Sequence, residues 1–218
     1  MRPLPQVSAG ADHQPGTISL SSTLGTPMSL GQEPPQLLKR RLFYEGRKFN
    51  FEVNRLRLPN RAEGEWECVR HPGGALAVPV TGDGRLVLLR QYRFAMLGRL
   101  LEFPAGTIEP GESPAETIRR EIQEETGYAA ATWHSLGTFP LAPGYSDELI
   151  YAFLATDLEP VEALEGDEDE DMEVLLMTPD QLEQEIMAGE PVDAKTIASF
   201  FLAKPFLAKP FLAKPMTP

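Results

Sequence analysis

The chain has 218 residues, of which 42% are hydrophobic and 24% charged, as in a globular protein with one ordinary domain and flexible ends. Its formal net charge of -12 argues against a general binder of nucleic acid or of anionic membranes, because such proteins are usually basic. The single cysteine excludes a disulfide within the chain, and no apolar run reaches the roughly 18 residues of a membrane helix. We therefore expect a cytoplasmic protein with no nucleic-acid or membrane partner.

The N-terminal third divides into a leader and a pair of strands. Residues 1–36 are rich in Ser, Gly, Pro, Gln and Thr without periodicity, which predicts a disordered leader. Order is predicted to begin near Leu42. The segment KFNFEVNRLRLPN alternates as a half-buried strand does, and GEWECVRH is predicted to be the next strand after a turn at Pro59 and Asn60. We therefore expect residues 37–70 to form an N-terminal antiparallel extension of a domain that spans 37–204.

Further strands follow in the central and C-terminal parts of the chain. GALAVPVTGDGRLVLLRQYR predicts two strands joined by a Gly/Asp turn at 81–84. ELIYAFLAT and MEVLLMT predict later strands. Together with the helices described next, these strands predict a mixed α+β domain.

Capping boxes predict where two helices begin. Ser113 with Glu116, and Thr178 with Gln181, have the spacing of a capping box, and a proline follows each cap at the first helical position. Gly127 stands where the first helix is expected to end in a left-handed residue. A last helix is predicted over 194–203.

The C-terminus contains three copies of FLAKP, from Phe201 to Pro215. A proline at every fifth residue predicts that the last helix does not continue, so residues 205–218 are interpreted as a repeat tail. Two interpretations stay open. The tail is either a docking segment with spaced Phe-Leu anchors or a duplicated terminus without a function.

The segment GTIEPGESPAETIRREIQEETGY, residues 106–128, contains an unusual group of glutamates. Glu121, Glu124 and Glu125 lie at i, i+3 and i+4 and so share a helical face, where like charges oppose one another by about 0.2–0.5 kcal/mol per pair. Carboxylates are hard oxygen ligands suited to Mg²⁺ or Mn²⁺, and bound cations would remove this repulsion. The pattern indicates a metal-binding face, with a solvated acidic face as the alternative.

The same segment resembles the Nudix box, in which glycine, glutamate and an Arg-Glu-aliphatic-any-Glu-Glu-any-Gly run follow at fixed spacing. The resemblance implies the Nudix fold, a mixed β-sheet sandwiched between helices, and hydrolysis of a nucleoside diphosphate linked to another group. It implies Glu121 and Glu125 as the principal metal ligands, with Glu124 close by and the Ala105 carbonyl adding an oxygen. The implied structural supports of the site are Gly106, Glu112, Arg120 and Gly127, with Arg120 paired to Glu112.

The flanking sequence resembles the ADP-ribose pyrophosphatase branch of the family. LLEFPAGTIE and LLRQYR resemble its lead-in. Pro143 stands 15 residues after Tyr128, where that branch has a proline, and the resemblance makes it a candidate substrate-binding residue. The resemblance implies cleavage of ADP-ribose to AMP and ribose 5-phosphate. The acidic stretch GDEDEDMEV then implies Glu170 or Glu168 as general base, with Glu170 preferred because it precedes DMEV. A solvated acidic turn is the alternative.

Substrate binding would need positive charge and an aromatic surface. Arg90 and Arg93 are candidates for a phosphate or ribose, and Tyr92 for stacking on adenine, although each could be an ordinary strand residue. Members of the branch are usually homodimers formed through N-terminal strands, here residues 42–70.

Two alternatives to ADP-ribose hydrolysis stay open at this point. One is hydrolysis of another nucleoside diphosphate derivative, such as ADP-glucose, GDP-mannose or NADH. The other is a sensor that binds ADP-ribose without cleaving it, which the complete box argues against.

Overall fold

The structure, a computed structural model, describes residues 8–9, 33–162 and 171–207. Two compact units divide the chain: Met1–Gly73 with Phe139–Leu149, and Gly74–Thr138 with Ile150–Pro218. The predicted general bases Glu168 and Glu170 and most of the FLAKP repeat lie outside the described residues.

The first unit contains an antiparallel sheet with the strand order β1-β2-β3-β4. The strands are β1 (Ser8–Ala9), β2 (Gln36–Glu45), β3 (Asn50–Arg57) and β4 (Glu63–Arg70). Strands β3 and β4 confirm the sequence prediction, whereas β2 begins before the expected start of order at Leu42. Two register shifts, at 37–39 and 40–42, break the alternation of β2, so its sequence carries no clear period of two.

The second unit is built on two sheets, of order β8-β5-β10-β9 and β11-β6-β7. Their strands are β5 (Gly74–Pro79), β6 (Leu86–Arg93), β7 (Gly98–Glu102), β8 (Ala105–Thr107), β9 (Tyr128–Pro140), β10 (Leu149–Pro160) and β11 (Met172–Met177). The last two residues of β9 and the first residue of β10 belong to the first unit. Strand β10 runs parallel to β5, and both belong to a mixed sheet. Strand β5 is buried along its whole length, as expected for a central strand.

The helices are α1 (Pro114–Thr126), α2 (Pro179–Ala188) and α3 (Ala194–Leu207). Both predicted capping boxes are present, at the starts of α1 and α2. The buried side chains of Ile118 and Ile122 pack with Ala75, Ala77 and Ala155 of β5 and β10. This apolar contact fixes which way α1 is rotated about its axis and therefore where its glutamates lie.

Helix α3 is longer than predicted, because it continues through Pro205 to Leu207 instead of ending near Ala203. A proline normally breaks a helix, but contacts with other elements hold this last turn. The Lys204 ammonium lies 2.6 Å from a Glu183 carboxylate oxygen, and the Phe206 ring lies 4.7 Å from the His134 ring. In the described part of the chain, no helix has the length and apolarity needed to cross a membrane.

Candidate active site

Helix α1 presents its glutamates in a fixed register because both of its ends are capped. The Ser113 hydroxyl accepts a hydrogen bond from the Glu116 N–H, and the Glu116 carboxylate accepts one from the Ser113 N–H. At the other end Gly127 has φ 69°, and its N–H donates to the Gln123 carbonyl at 3.1 Å. A residue with a Cβ would be strained in that left-handed conformation, which explains the glycine.

Arg120 is the centre of a partly exposed group of charges on this helix. Its guanidinium donates two hydrogen bonds of 3.1 Å to Glu112, which is the pair that the resemblance implied. One nitrogen also donates to Glu121 at 3.0 Å and to Glu124 at 2.8 Å. These two hydrogen bonds, donated by Arg120 to Glu112, raise the pKa of Arg120 against the opposing effect of burial. They also hold the pKa of Glu112 below its ordinary value. The arginine therefore neutralises repulsion among the acids.

Glu125 connects α1 to the segment that precedes it. Its side chain is buried, and one carboxylate oxygen accepts a hydrogen bond from the Ala105 N–H at 3.0 Å. The next residue, Gly106, touches Glu121 so closely that an added Cβ would lie 1.9 Å from a Glu121 carboxylate oxygen. The structure thus brings Ala105, Gly106 and the glutamate face together, and it explains why position 106 has no side chain.

The predicted substrate-binding residues of β6 have different surroundings. Arg90 and Tyr92 are exposed and are two residues apart, so they lie on one face of the strand. Arg93 is instead bonded to the buried Glu102 through two hydrogen bonds of 2.7 Å. Pro143 is exposed in the first unit.

A model of the NUDIX domain matches residues 70–200 of the sequence. The chain belongs to the NUDIX domain family. Over 165 residues it is 35% identical to the ADP-ribose pyrophosphatase of Bacillus subtilis (strain 168), a match that covers 75% of this chain and 89% of that protein. Over 161 residues it is 35% identical to the methanol dehydrogenase activator of Bacillus methanolicus, covering 73% and 87% of the two chains.

A comparison with solved structures supports the same assignment. The crystal structure of an ADP compounds hydrolase superposes with a TM-score of 0.68 at 27% identity, covering 86% of this chain and 97% of that one. The predicted α+β Nudix fold and family membership are confirmed.

NUDIX hydrolases generally require a divalent metal, and the side chains on α1 are suited to one. In the residues that the structure describes, no three acidic, histidine or cysteine side chains converge closely enough to hold an ion. The carboxylates of Glu121 and Glu124 instead accept hydrogen bonds from Arg120, and that of Glu125 accepts one from the Ala105 N–H. The candidate ligand atoms nevertheless suit a hard cation, because all of them are oxygens. The absence of a Cβ at Gly106 also leaves space for the Glu121 carboxylate.

A group of paired charges just before the NUDIX site was not predicted from the sequence. Glu102 is 1% exposed and is bonded to Lys195 as well as to Arg93. A signal was present, because a glutamate inside the apolar run LLEFP is expected to be paired when it is buried. Its partner Lys195 is 93 positions away, and no periodic pattern connects the two.

Proposed function

We propose that this chain hydrolyses the diphosphate of ADP-ribose to AMP and ribose 5-phosphate, with Mg²⁺ or Mn²⁺ bound at α1. The observation that carries the proposal is the glutamate face of α1, held against Ala105 and Gly106. The similarity to the ADP-ribose pyrophosphatase of Bacillus subtilis supports the choice of substrate. We further propose that the chain forms a homodimer through residues 42–70, which a measurement of its mass in solution would test. We also propose a cytoplasmic location.

The metal would be held by Glu121, Glu124 and Glu125 with the Ala105 carbonyl. When bound, a divalent cation neutralises a diphosphate and lowers the pKa of an attacking water. Glu125 keeps the Ala105 backbone close to the helix through its hydrogen bond, so the carbonyl of that residue is presented at a fixed place. Arg120 braces the loop before α1 by bonding to Glu112.

The exposed face of β6 is the part of the chain we assign to substrate binding. Arg90 supplies a guanidinium for a phosphate, and Tyr92, 44% exposed, supplies a ring on which adenine can stack. Arg93 is held by Glu102 and is assigned a supporting role rather than a contact with substrate. Glu170, or else Glu168, is proposed as the general base that removes a proton from the attacking water.

The test is AMP release from ADP-ribose in the presence of Mg²⁺, beside ADP-glucose, GDP-mannose and NADH. We expect ADP-ribose to be the preferred substrate and Glu125→Gln to lower turnover by about 100-fold or more, the scale on which loss of one electrostatic stabiliser acts. Glu116→Gln is the matched control, because glutamine also completes a capping box and Glu116 lies outside the metal face. Preference for another compound would refute the substrate, and binding of ADP-ribose without products would indicate a sensor.

A further inference from the structure

The segment Leu101–Ala105, which leads into the site, is held by the chain around the start of α3. The Leu101 N–H donates to the Pro191 carbonyl at 2.8 Å, and the Leu101 carbonyl accepts from the Asp193 N–H at 3.1 Å. These backbone bonds join the end of β7 to the approach to α3. They fix the first residue of the segment.

The middle of the segment is held by side chains of α3. The Phe103 N–H donates to the Thr196 hydroxyl at 2.8 Å, and Phe103 itself is 1% exposed. The Lys195 ammonium lies 2.7 Å from a Glu102 carboxylate oxygen. Two consecutive residues of α3 therefore bind two consecutive residues of the segment.

The charges around Glu102 are balanced, although Glu102 and Lys195 are largely removed from water. Glu102 accepts hydrogen bonds from Arg93 and Lys195, and Lys195 also donates to Asp193 at 2.9 Å. Only 2% of the Glu102 side chain and 13% of the Lys195 side chain are exposed. Such a group tolerates little movement, because a displaced partner would leave a buried charge uncompensated.

The far end of the segment is part of the proposed metal face. Ala105 follows Glu102 by three residues, and its N–H is bonded to Glu125. The Pro104 carbonyl between them accepts a hydrogen bond from the Ala77 N–H at 3.0 Å. Leu101, Phe103, Pro104 and Ala105 are each held through the backbone, and Glu102 is held through its charge. These residues are consecutive in the chain, so we expect a shift at Glu102 to reach the Ala105 carbonyl three residues later.

We propose that Lys195, supported by Thr196, is a positioning residue of the active site, which sets the place of the Ala105 carbonyl through Glu102 and Phe103. The proposal rests on the proposed function, since it takes Ala105 to be a metal ligand. It assigns to α3 a role in metal binding although none of the proposed metal ligands lies on α3. Lys195 acts by fixing a backbone ligand, not by contacting substrate.

The test measures Mn²⁺ binding by electron paramagnetic resonance in the full chain without substrate, together with kcat and KM for ADP-ribose. Lys195→Met removes the charge but keeps much of the side-chain length, and Lys195→Arg keeps the charge. We expect Lys195→Met to weaken Mn²⁺ binding about 10-fold or more, the scale of outer-sphere residues at metal sites. We expect kcat at a fixed Mn²⁺ concentration to fall with it and KM to change little, and Lys195→Arg to recover part of the loss.

Lys204→Met is the matched control, because Lys204 lies on the same helix, is 47% exposed and pairs with Glu183 away from the segment. If Lys195→Met unfolds, the pair Thr196→Val and Thr196→Ser replaces it, since only serine keeps the hydroxyl that binds the Phe103 N–H. We then expect Thr196→Val to weaken Mn²⁺ binding more than Thr196→Ser does.

The outcomes separate the positioning role from the proposed function. If the unmodified chain binds Mn²⁺ and hydrolyses ADP-ribose while Lys195→Met matches Lys204→Met in Mn²⁺ affinity, the positioning role is wrong and the function stands. The same holds if Thr196→Val and Thr196→Ser, tested in its place, bind Mn²⁺ equally. If the unmodified chain binds no Mn²⁺, the metal site is wrong, and the role of Lys195 is refuted with it.

Discussion

Two groups of charged side chains in the second unit use the same arginine–carboxylate chemistry in different surroundings. Around Arg120 the side chains of Glu112, Glu121 and Glu124 keep between 16% and 26% of their surface exposed. Around Arg93 and Lys195 the Glu102 side chain keeps 2%. Water can replace a lost partner of Glu112, Glu121 or Glu124, but it can hardly reach Glu102. The carboxylates around Arg120 can therefore change hydrogen-bond partners if a cation binds, whereas Glu102 has to keep its partners.

The buried group should show the largest effect on stability when it is broken. Glu102→Gln would leave Arg93 and Lys195 without their shared carboxylate, and loss of one partner of a buried pair costs about 3–5 kcal/mol in the free energy of unfolding. Burial raises the pKa of Glu102, but the hydrogen bonds from Arg93 and the charge of Lys195 hold it below its ordinary value of 4.5. The stabilisation is therefore complete above about pH 4.5 and is lost as the pH falls through the lowered pKa.

Urea unfolding at pH 7 and at pH 4 would measure this difference between the unmodified chain and Glu102→Gln. Glu183→Gln is the control, because it breaks the exposed pair with Lys204 and should change stability by about 1 kcal/mol or less. A difference for Glu102→Gln as small as the control, or one that does not shrink in acid, would contradict the assignment of a buried, charged Glu102.

Gly106→Ala should affect activity more than stability. The new methyl group would meet the carboxylate and the Cγ of Glu121 and no backbone atom among its nearest contacts, so this flexible side chain has to move aside while the backbone remains. Because that acid is a proposed metal ligand, we expect turnover to fall about 10–100-fold. The change in melting temperature should be small.

Gly82→Ala serves as the comparison for Gly106→Ala, since an added Cβ at Gly82 meets no atom within 4 Å. ADP-ribose turnover and thermal unfolding of both variants give the test. Equal activity of the two would mean that the contact between Gly106 and Glu121 has no role in the reaction.

The smallest effect is expected for Arg120→Gln, which leaves the neighbouring carboxylates to repel one another. Without metal we expect a loss of about 1 kcal/mol in the free energy of unfolding, because the group is partly exposed. Saturating Mg²⁺ should reduce the difference in the free energy of unfolding between Arg120→Gln and the unmodified chain, because it neutralises Glu121 and Glu124. Arg119→Gln, at the exposed neighbouring position, is the control, and a difference that is the same with and without Mg²⁺ would count against the metal face.

The sequence predicted those features that depend on residues close together in the chain. The capping boxes at Ser113 and Thr178 and the left-handed Gly127 each need only a few adjacent residues, and all are present. Strand β9 was missed because its exposure does not alternate, and the end of α3 was misplaced because Phe206 contacts His134 on a distant strand. The salt bridge from Lys195 to Glu102 was equally invisible, since it depends on how α3 meets β7.

The hydrogen bond between Phe103 and Thr196 joins residues 93 positions apart, and this separation has a consequence during synthesis. A ribosome that adds about 5–20 residues per second needs roughly 5–20 s to make the chain between them. The glutamate helix therefore leaves the ribosome well before the residues that fix its lead-in exist. A nascent chain released before Lys195 would carry the complete Nudix box and still lack the bonds from Lys195 to Glu102 and from Thr196 to Phe103.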